Sequence, residues 1–301
     1  AGFLHDRLFV TGGAARVWAG VREYSLPYIN KESVQAGNLA GPVVLKTFSH
    51  TTNALMPTVE PRHDTYVAGI LYKVLPNVSA YYNFSTNAGL ASLAPMWQAG
   101  KQNEFGLKSS FIKNRISVTV DHFAITQSNV AFQNPLFNLG QSSIQNIYQA
   151  LSSKGEELNV VGGLTKDLSV VMSYTNQKLR DPFGRRPRNI PDQMANLLLN
   201  YHFSSGTWKD ASVFIGLNYC GNVAGETVTA NTSLGVPELP GYYVAAYTVT
   251  NAGASYRWGK YRFNLNVHNL FDQKFWWQAQ ARSSLLPYSG TQVTLTMTVR
   301  L

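Results

Sequence analysis

The sequence closes on Gln292-Val293-Thr294-Leu295-Thr296-Met297-Thr298-Val299-Arg300-Leu301, and the reading of this stretch decides the fold. Val293, Leu295, Met297, Val299 and Leu301 alternate without a break with Gln292, Thr294, Thr296, Thr298 and Arg300. Successive side chains of a strand point to opposite faces, so the segment presents one apolar and one polar face. A soluble protein seldom leaves such a strand at its end, because an exposed edge invites aggregation, whereas a barrel pairs its last strand with its first.

The same period recurs upstream. Tyr261, Phe263, Leu265 and Val267 alternate with Arg262, Asn264, Asn266 and His268. Ala211, Val213, Ile215, Leu217 and Tyr219 form another apolar row, opposed mainly by Ser212, Gly216 and Asn218. Further rows run Ala195 to Phe203, Leu168 to Tyr174, Ile116 to Val120 and Tyr66 to Val74. About twelve segments of roughly ten or more residues follow this pattern, the length a tilted strand needs to cross a bilayer.

Short polar turns are expected at Pro76-Asn77, Lys113-Asn114, Thr165-Lys166-Asp167, Ser204 to Asp210 and Gly259-Lys260. They alternate with longer connections, approximately Ser25 to Arg62, Asn87 to Ala99, Ser128 to Gln149, Lys178 to Pro191, Gly221 to Gly241 and Asp272 to Gly290. In an outer-membrane barrel the short turns are periplasmic and the long loops extracellular. Val43 to Met56 has some strand character, but counting it breaks this parity, so it is assigned to the first long loop. Aromatic residues, among them Tyr201, Phe203, Trp208, Tyr256, Trp258 and Tyr261, bracket the short turns, as an interfacial girdle requires.

Composition agrees. Apolar residues make up 45% of the 301, yet no run reaches the roughly 18 uninterrupted apolar residues of a membrane helix. Charged residues are only 14%, against about 25% in soluble domains. A soluble sandwich of hairpins predicts charges on its wet face and turns of similar length at both ends; here the wet face is largely Ser, Thr, Asn and Gly. The single Cys220 permits neither an internal disulfide nor a metal-ligand spacing. A net charge of +9 suits acidic partners without choosing among nucleic acid, lipopolysaccharide and an anionic ligand. Ala1 to Val10 lacks the plan of a signal peptide, which suggests a mature chain or a fragment.

Several stretches resemble the barrel of TonB-dependent receptors, especially the siderophore-uptake branch. Asp6-Arg7-Leu8-Phe9-Val10 to Gly20-Val21-Arg22-Glu23-Tyr24 is similar to the family's strand ending in a Gly-x-Arg-Tyr-like element, with Glu23 intervening. Tyr72 to Ser85 resembles its strand, Pro-Asn turn and following strand closing on Tyr-x-x-x-Ser. Glu104-Phe105-Gly106-Leu107-Lys108 resembles its Glu-x-Gly-x-Lys strand, Gly155-Glu156-Glu157-Leu158 its Gly-x-Glu strand, and Val267-His268-Asn269-Leu270-Phe271-Asp272 its Val-x-Asn-Leu-Phe-Asp signature. Two departures are Leu301, where the family usually ends on an aromatic residue, and Gly290-Thr291-Gln292 in place of Gly-x-Pro-Arg.

The resemblance implies an all-β, transmembrane antiparallel β-barrel. Residues 1–301 would supply the carboxy-terminal portion, about twelve of 22 strands, without the amino-terminal plug domain. It further implies uptake of a ferric siderophore through a receptor in the outer membrane of a Gram-negative cell, driven by the TonB complex through the missing plug. Outer-membrane lipid and lipopolysaccharide are the expected surroundings, and iron enters only within the bound chelate, with no resident cofactor. The rival reading is a passive porin-like channel closed by these strands alone; a third is a non-functional relic.

No catalytic constellation is present. His5, His50, His63, His122, His202 and His268 are scattered without a metal-binding spacing, and neither Gly-x-Ser-x-Gly nor a phosphate loop occurs. Glu156 and Glu157 are adjacent, so on a strand they face opposite ways and cannot cooperate as acid and base. The basic loop of Lys178, Arg180, Arg185, Arg186 and Arg188 has only Asp181 near in sequence to offset it. Its guanidinium groups suit bidentate binding of an anionic chelate, and equally lipopolysaccharide phosphates or simple solvation. Trp276, Trp277 and Tyr288, with Phe275, lie in the last long loop, where their faces can meet a chelate, neighbouring loops or lipid headgroups. Gly184 to Arg188 has no accompanying helix, zinc site or aromatic platform that would make it a nucleic-acid contact.

Overall fold

The computed structural model describes residues 2–18, 62–90, 97–133, 146–181, 184–225, 242–281 and 284–300. The expected strand at Val43 to Met56 and the element Gly20 to Tyr24 lie outside them. The chain opens with β1 (Gly2–Phe3), β2 (Leu8–Trp18), β3 (Arg62–Leu75) and β4 (Val78–Leu90). Then come the long β5 (Trp97–Phe111), β6 (Ile116–Gln133) and β7 (Asn146–Gly163), followed by β8 (Leu168–Arg180), β9 (Gln193–His202) and β10 (Ala211–Cys220). After the short pair β11 (Val223–Ala224) and β12 (Tyr243–Val244) stand β13 (Tyr247–Trp258) and β14 (Tyr261–His268), then the hairpin β15 (Trp276–Ala281) and β16 (Ser284–Pro287), and finally β17 (Gln292–Val299).

Thirteen of these strands form one sheet in the order β1 to β10, β13, β14, β17, and the pairings within it join neighbours along that order in antiparallel fashion. Twelve of them are eight residues or longer, the number that the two-residue period leads one to expect. No helix of the described residues is long and apolar enough to cross a membrane.

Directly paired residues share a face, so rungs can be followed across the sheet. Leu107, Val120, Leu158, Tyr174 and Ala195 make one rung; Ser109, Val118, Val160, Met172 and Leu197 make the next toward the short turns. Tyr261, Phe263, Leu265 and Val267 of β14 lie opposite Val299, Met297, Leu295 and Val293 of β17. This face stays in contact with its surroundings: Leu295 is 69% exposed and Leu107 52%. Burying an exposed leucine is worth about 2 kcal/mol, so a row of them so displayed calls for an apolar solvent.

The short turns fall where the alternation puts them, at residues 76–77, 112–115, 164–167, 203–210 and 259–260. Several long connections are shorter than the sequence suggests. Val130 to Gln133 continue β6 by pairing with Asn146 to Gln149 past an irregularity at Gln127 to Val130, and Leu90 pairs with Trp97. Amphipathic alternation fades there, but the backbone ladder does not. The girdle residues meet as expected near the short turns: Tyr201 and Phe203 contact edge to face at 4.9 Å, as do Trp208 and Tyr256 at 6.3 Å. Among the described residues no ladder joins β17 to β1 or β2, so the last strand pairs with β14 alone.

Candidate functional site

On the polar face, the Glu-x-Gly-x-Lys stretch of β5 is built around one ring. Tyr81 of β4 lies directly opposite Gly106, and a Cβ on that glycine would come within 2.9 Å of the tyrosine ring. Two residues to one side, Glu104 Oε1 accepts the Tyr81 hydroxyl at 2.8 Å; two residues to the other, the Lys108 ammonium stands 4.6 Å above the ring centroid. Each residue of the motif therefore holds a different part of Tyr81. The next strands add Asp121, opposite Gly106, and Glu157, opposite Asp121. Glu104, Asp121 and Glu157 line a pocket of about 190 Å³ with Gln102, Ser153 and Gln177. As the alternation requires, Glu156 points the other way, toward His122 and Asn176. The pocket could have been found in the sequence: its three carboxylates are rare charges on a largely uncharged face.

At the end of the sheet away from the short turns, three connections pack into a cap. They follow β8, β10 and β14, and where they are described (181, 184–192, 221–225, 242–246, 269–281 and 284–291) their common centre is a small apolar cluster of Val223, Val244 and Ala279, with Cys220, Tyr242 and Leu285 against it. Asn189 ties all three. Its backbone N–H donates to Ala224 O at 3.0 Å, while its side-chain amide donates to Ala279 O at 2.7 Å and accepts from Ala279 N at 2.9 Å. Asn189 has φ of 61°, a left-handed conformation that asparagine tolerates better than most residues.

The last connection is fastened by the Asn-Leu-Phe-Asp element. Asn269, 1% exposed, donates through Nδ2 to Gln273 O and Ser289 O and accepts from Gln273 N, while its own N–H donates to Asn251 Oδ1. Its carbonyl accepts the Thr291 hydroxyl at 2.8 Å. Asp272 accepts from Lys274 Nζ at 2.8 Å and from Thr291 N at 3.1 Å; the ammonium and the amide together hold its carboxyl below the ordinary carboxylate range. The motif is thus a clamp that gathers both ends of the loop.

The arginines expected to meet a ligand are largely engaged with the cap itself. Arg180 makes a two-pronged contact with Asp192, both arms at 3.1 Å, and Arg185 Nε donates to Asp181 Oδ2 at 2.7 Å. Arg186 donates to the side chain and the carbonyl of Asn222, lies 3.6 Å from Asp192 and stands 5.8 Å over the Tyr243 ring. Asp192, which sequence reading did not count, therefore offsets two of the five cations. Tyr288 stacks on Phe275 at 4.5 Å, and Phe275 on Tyr247 at 4.0 Å, so that ring is structural as well. Exposed surface is left to Arg188 and to Trp276 and Trp277, which are 48% and 46% exposed. Arg188 immediately precedes the asparagine that grips β15, the strand that carries both indoles. Among the described residues no group of three or more His, Cys, Asp or Glu side chains is placed to hold a metal ion.

A family model described as TonB dependent receptor-like, beta-barrel matches residues 5–270. The chain is similar to the metal-pseudopaline receptor of Pseudomonas aeruginosa, 25% identical over 244 residues that are 77% of this chain and 32% of that protein. It is also similar to the ferrichrome outer membrane transporter and phage receptor of Escherichia coli, 26% identical over 247 residues, 74% of this chain and 30% of that one. The solved ferric-catecholate import receptor of Escherichia coli, in its closed form, superposes with a TM-score of 0.71 at 20% identity, over 97% of this chain and 42% of its own. The chain spans about a third of the length of the two curated relatives.

Proposed function

Because the chain belongs to the TonB dependent receptor-like β-barrel family, we propose that it works as barrel wall and loop cap of an outer-membrane receptor that takes up ferric siderophores. Transport draws on energy relayed from TonB through a plug domain, the arrangement that the resemblance implies, and involves no chemical reaction. The observation that carries this reading is the cap: three connections locked by Asn189 and Asn269 hold Arg188 and two exposed indoles at the rim of a polar-faced sheet. A guanidinium suits the negative charge of a ferric chelate, and flat aromatic faces suit its rings. The names of the two curated relatives, receptors for metal-pseudopaline and ferrichrome, support the ligand class.

Against a passive channel closed by these strands alone stands the pairing of β17, which meets β14 and leaves its other edge without a ladder among the described residues. The test is uptake. Cells with and without the gene are given radiolabelled ferric hydroxamates, catecholates and carboxylates. The proposal predicts energy-dependent accumulation of at least one chelate that disappears with the gene; identical accumulation of all of them contradicts it. In the intact receptor, Arg188→Ala should weaken binding of an anionic chelate about tenfold, as expected for a lost charge-assisted contact. Unchanged affinity by quenching of tryptophan fluorescence removes Arg188 from the site.

A further inference from the structure

The polar face of β13, β14 and β17 changes character at its short-turn end. Moving away from the cap, His268 faces Gln292, then come Gly253, Asn266 and Thr294, then Ser255, Asn264 and Thr296. These side chains are small or hydrogen-bonding, and none carries a fixed charge. The following rung is Arg257, Arg262 and Thr298, with the two arginines directly opposite each other and both exposed. By alternation Arg300 falls on this face as well, and its backbone N–H donates to Lys260 O in the short turn at 2.9 Å. Among the described residues none of these three arginines makes an ion pair, although Asp210 stands beside Arg257 in the register that sets Ala211 against Tyr256. Like charges directly opposite on one face are destabilising. A pair of guanidinium groups so placed is accounted for by an anion shared between them, since each offers a planar fork of donors to oxygen.

The face on which they stand selects the kind of anion. Arg257 and Arg262 are one residue out of step with Tyr256 and Phe263, which oppose each other on the apolar face. The guanidinium groups therefore meet water rather than hydrocarbon, and a lipid on the other side of the sheet does not reach them. We propose that Arg257, Arg262 and Arg300 form an exit site for an anionic ferric chelate, a second binding place on the polar wall at the opposite end from the cap. The commitment to the chelate follows from continuity: one polar face leads from the cap to these arginines, and between the two it carries no other fixed cation on β13, β14 or β17. An anion moving along it meets neutral donors first and positive charge last, so the field of the wall draws it toward the short turns. The inference rests on the uptake reading, in which the short turns face the periplasm. It adds to that reading a place where cargo is held on its way out, built from residues that take no part in the cap.

The intact receptor is purified in detergent with Cys220→Ser and Thr298→Cys, and an uncharged fluorophore is attached at position 298, directly opposite Arg262. Ferric iron quenches the dye when its chelate binds alongside. Two probes are titrated, a ferric tricatecholate, which is an anion, and an uncharged ferric trihydroxamate. The anion should reach half-quenching at a concentration about tenfold lower than the neutral chelate, as expected for charge-assisted contacts. Arg257→Gln/Arg262→Gln should abolish that difference, and Arg257→Lys/Arg262→Lys should keep most of it. Heat-dependent gel mobility confirms that each variant is folded. Equal quenching by the two probes, or a preference for the anion that survives in the glutamine variant, overturns the proposal. So does a glutamine variant that unfolds at lower temperature with its quenching unmoved, the mark of arginines paired with carboxylates elsewhere in the receptor. Cells that accumulate a chelate while position 298 shows no preference for charge remove the exit site alone; cells that accumulate none reject the uptake reading, whatever binds at the arginines.

Discussion

Gly106 has no side chain, and Tyr81 occupies the space. Alanine there would place a methyl group 2.5 Å from Val120 O and 2.9 Å from the tyrosine ring, so one of them must shift. Overpacking of this kind costs about 1–3 kcal/mol, and Gly106→Ala should lower the unfolding midpoint in detergent accordingly; since Val120 O and Asp121 Cβ lie closer still, Tyr81→Ala should remove only the part of the penalty that the ring contributes, a coupling visible in a double-mutant cycle. Additive losses would mean that the ring does not depend on the glycine. Arg185 teaches a different lesson. Asp181 is 8% exposed and receives the Arg185 guanidinium at 2.7 Å and the Arg185 backbone N–H at 2.8 Å, so Arg185→Ala removes one charged partner of a buried carboxylate, a change worth about 2 kcal/mol. That variant should loosen the cap, seen as faster proteolysis between β8 and β9; digestion at the rate of the original chain would contradict it.

At the scale of elements, strands were legible and the cap was not. β14 and β17 could be read outright because their partners lie on the next strand and the same two-residue period governs every one of them. The cap depends instead on pairs whose members are far apart in sequence: Asn189 meets Ala279 across 90 residues and Arg186 meets Asn222 across 36. No local pattern announces such a contact, so the arginines looked available when most were already occupied. Val-x-Asn-Leu-Phe-Asp was visible as a motif, but its work, fastening a loop through one buried amide, appears only in three dimensions. Asn269→Ala removes two donors and an acceptor at once and should free the 269–291 connection, giving tryptic cleavage at Lys274 while the sheet stays folded; protection of Lys274 equal to that of the original chain contradicts the clamp. The Asp272 contact adds a pH dependence. Its carboxyl is held below its ordinary value, so its contribution is present in full above about pH 4 and is lost as the pH falls through the lowered value. Emission from Trp276 and Trp277, four and five residues beyond, should therefore change on acidification below that range in the original chain and much less in Asp272→Asn.

For the whole molecule, one physical fact organises the rest: a single sheet whose two faces meet different solvents. The apolar rungs call for hydrocarbon against them and the polar face for water, and the cap stands at the end away from the short turns. Family membership and the 0.71 TM-score superposition agree with that architecture. The most direct test is a nitroxide scan of β14, flanked on both sides by neighbours. With Cys220 replaced by serine, single cysteines at positions 261 to 268 are spin-labelled in the receptor reconstituted into lipid vesicles. The account predicts collision with oxygen that peaks at Phe263, Leu265 and Val267, with Asn264 and Asn266 low, a period of two residues. Equal accessibility of all eight positions to a water-soluble nickel chelate would contradict it.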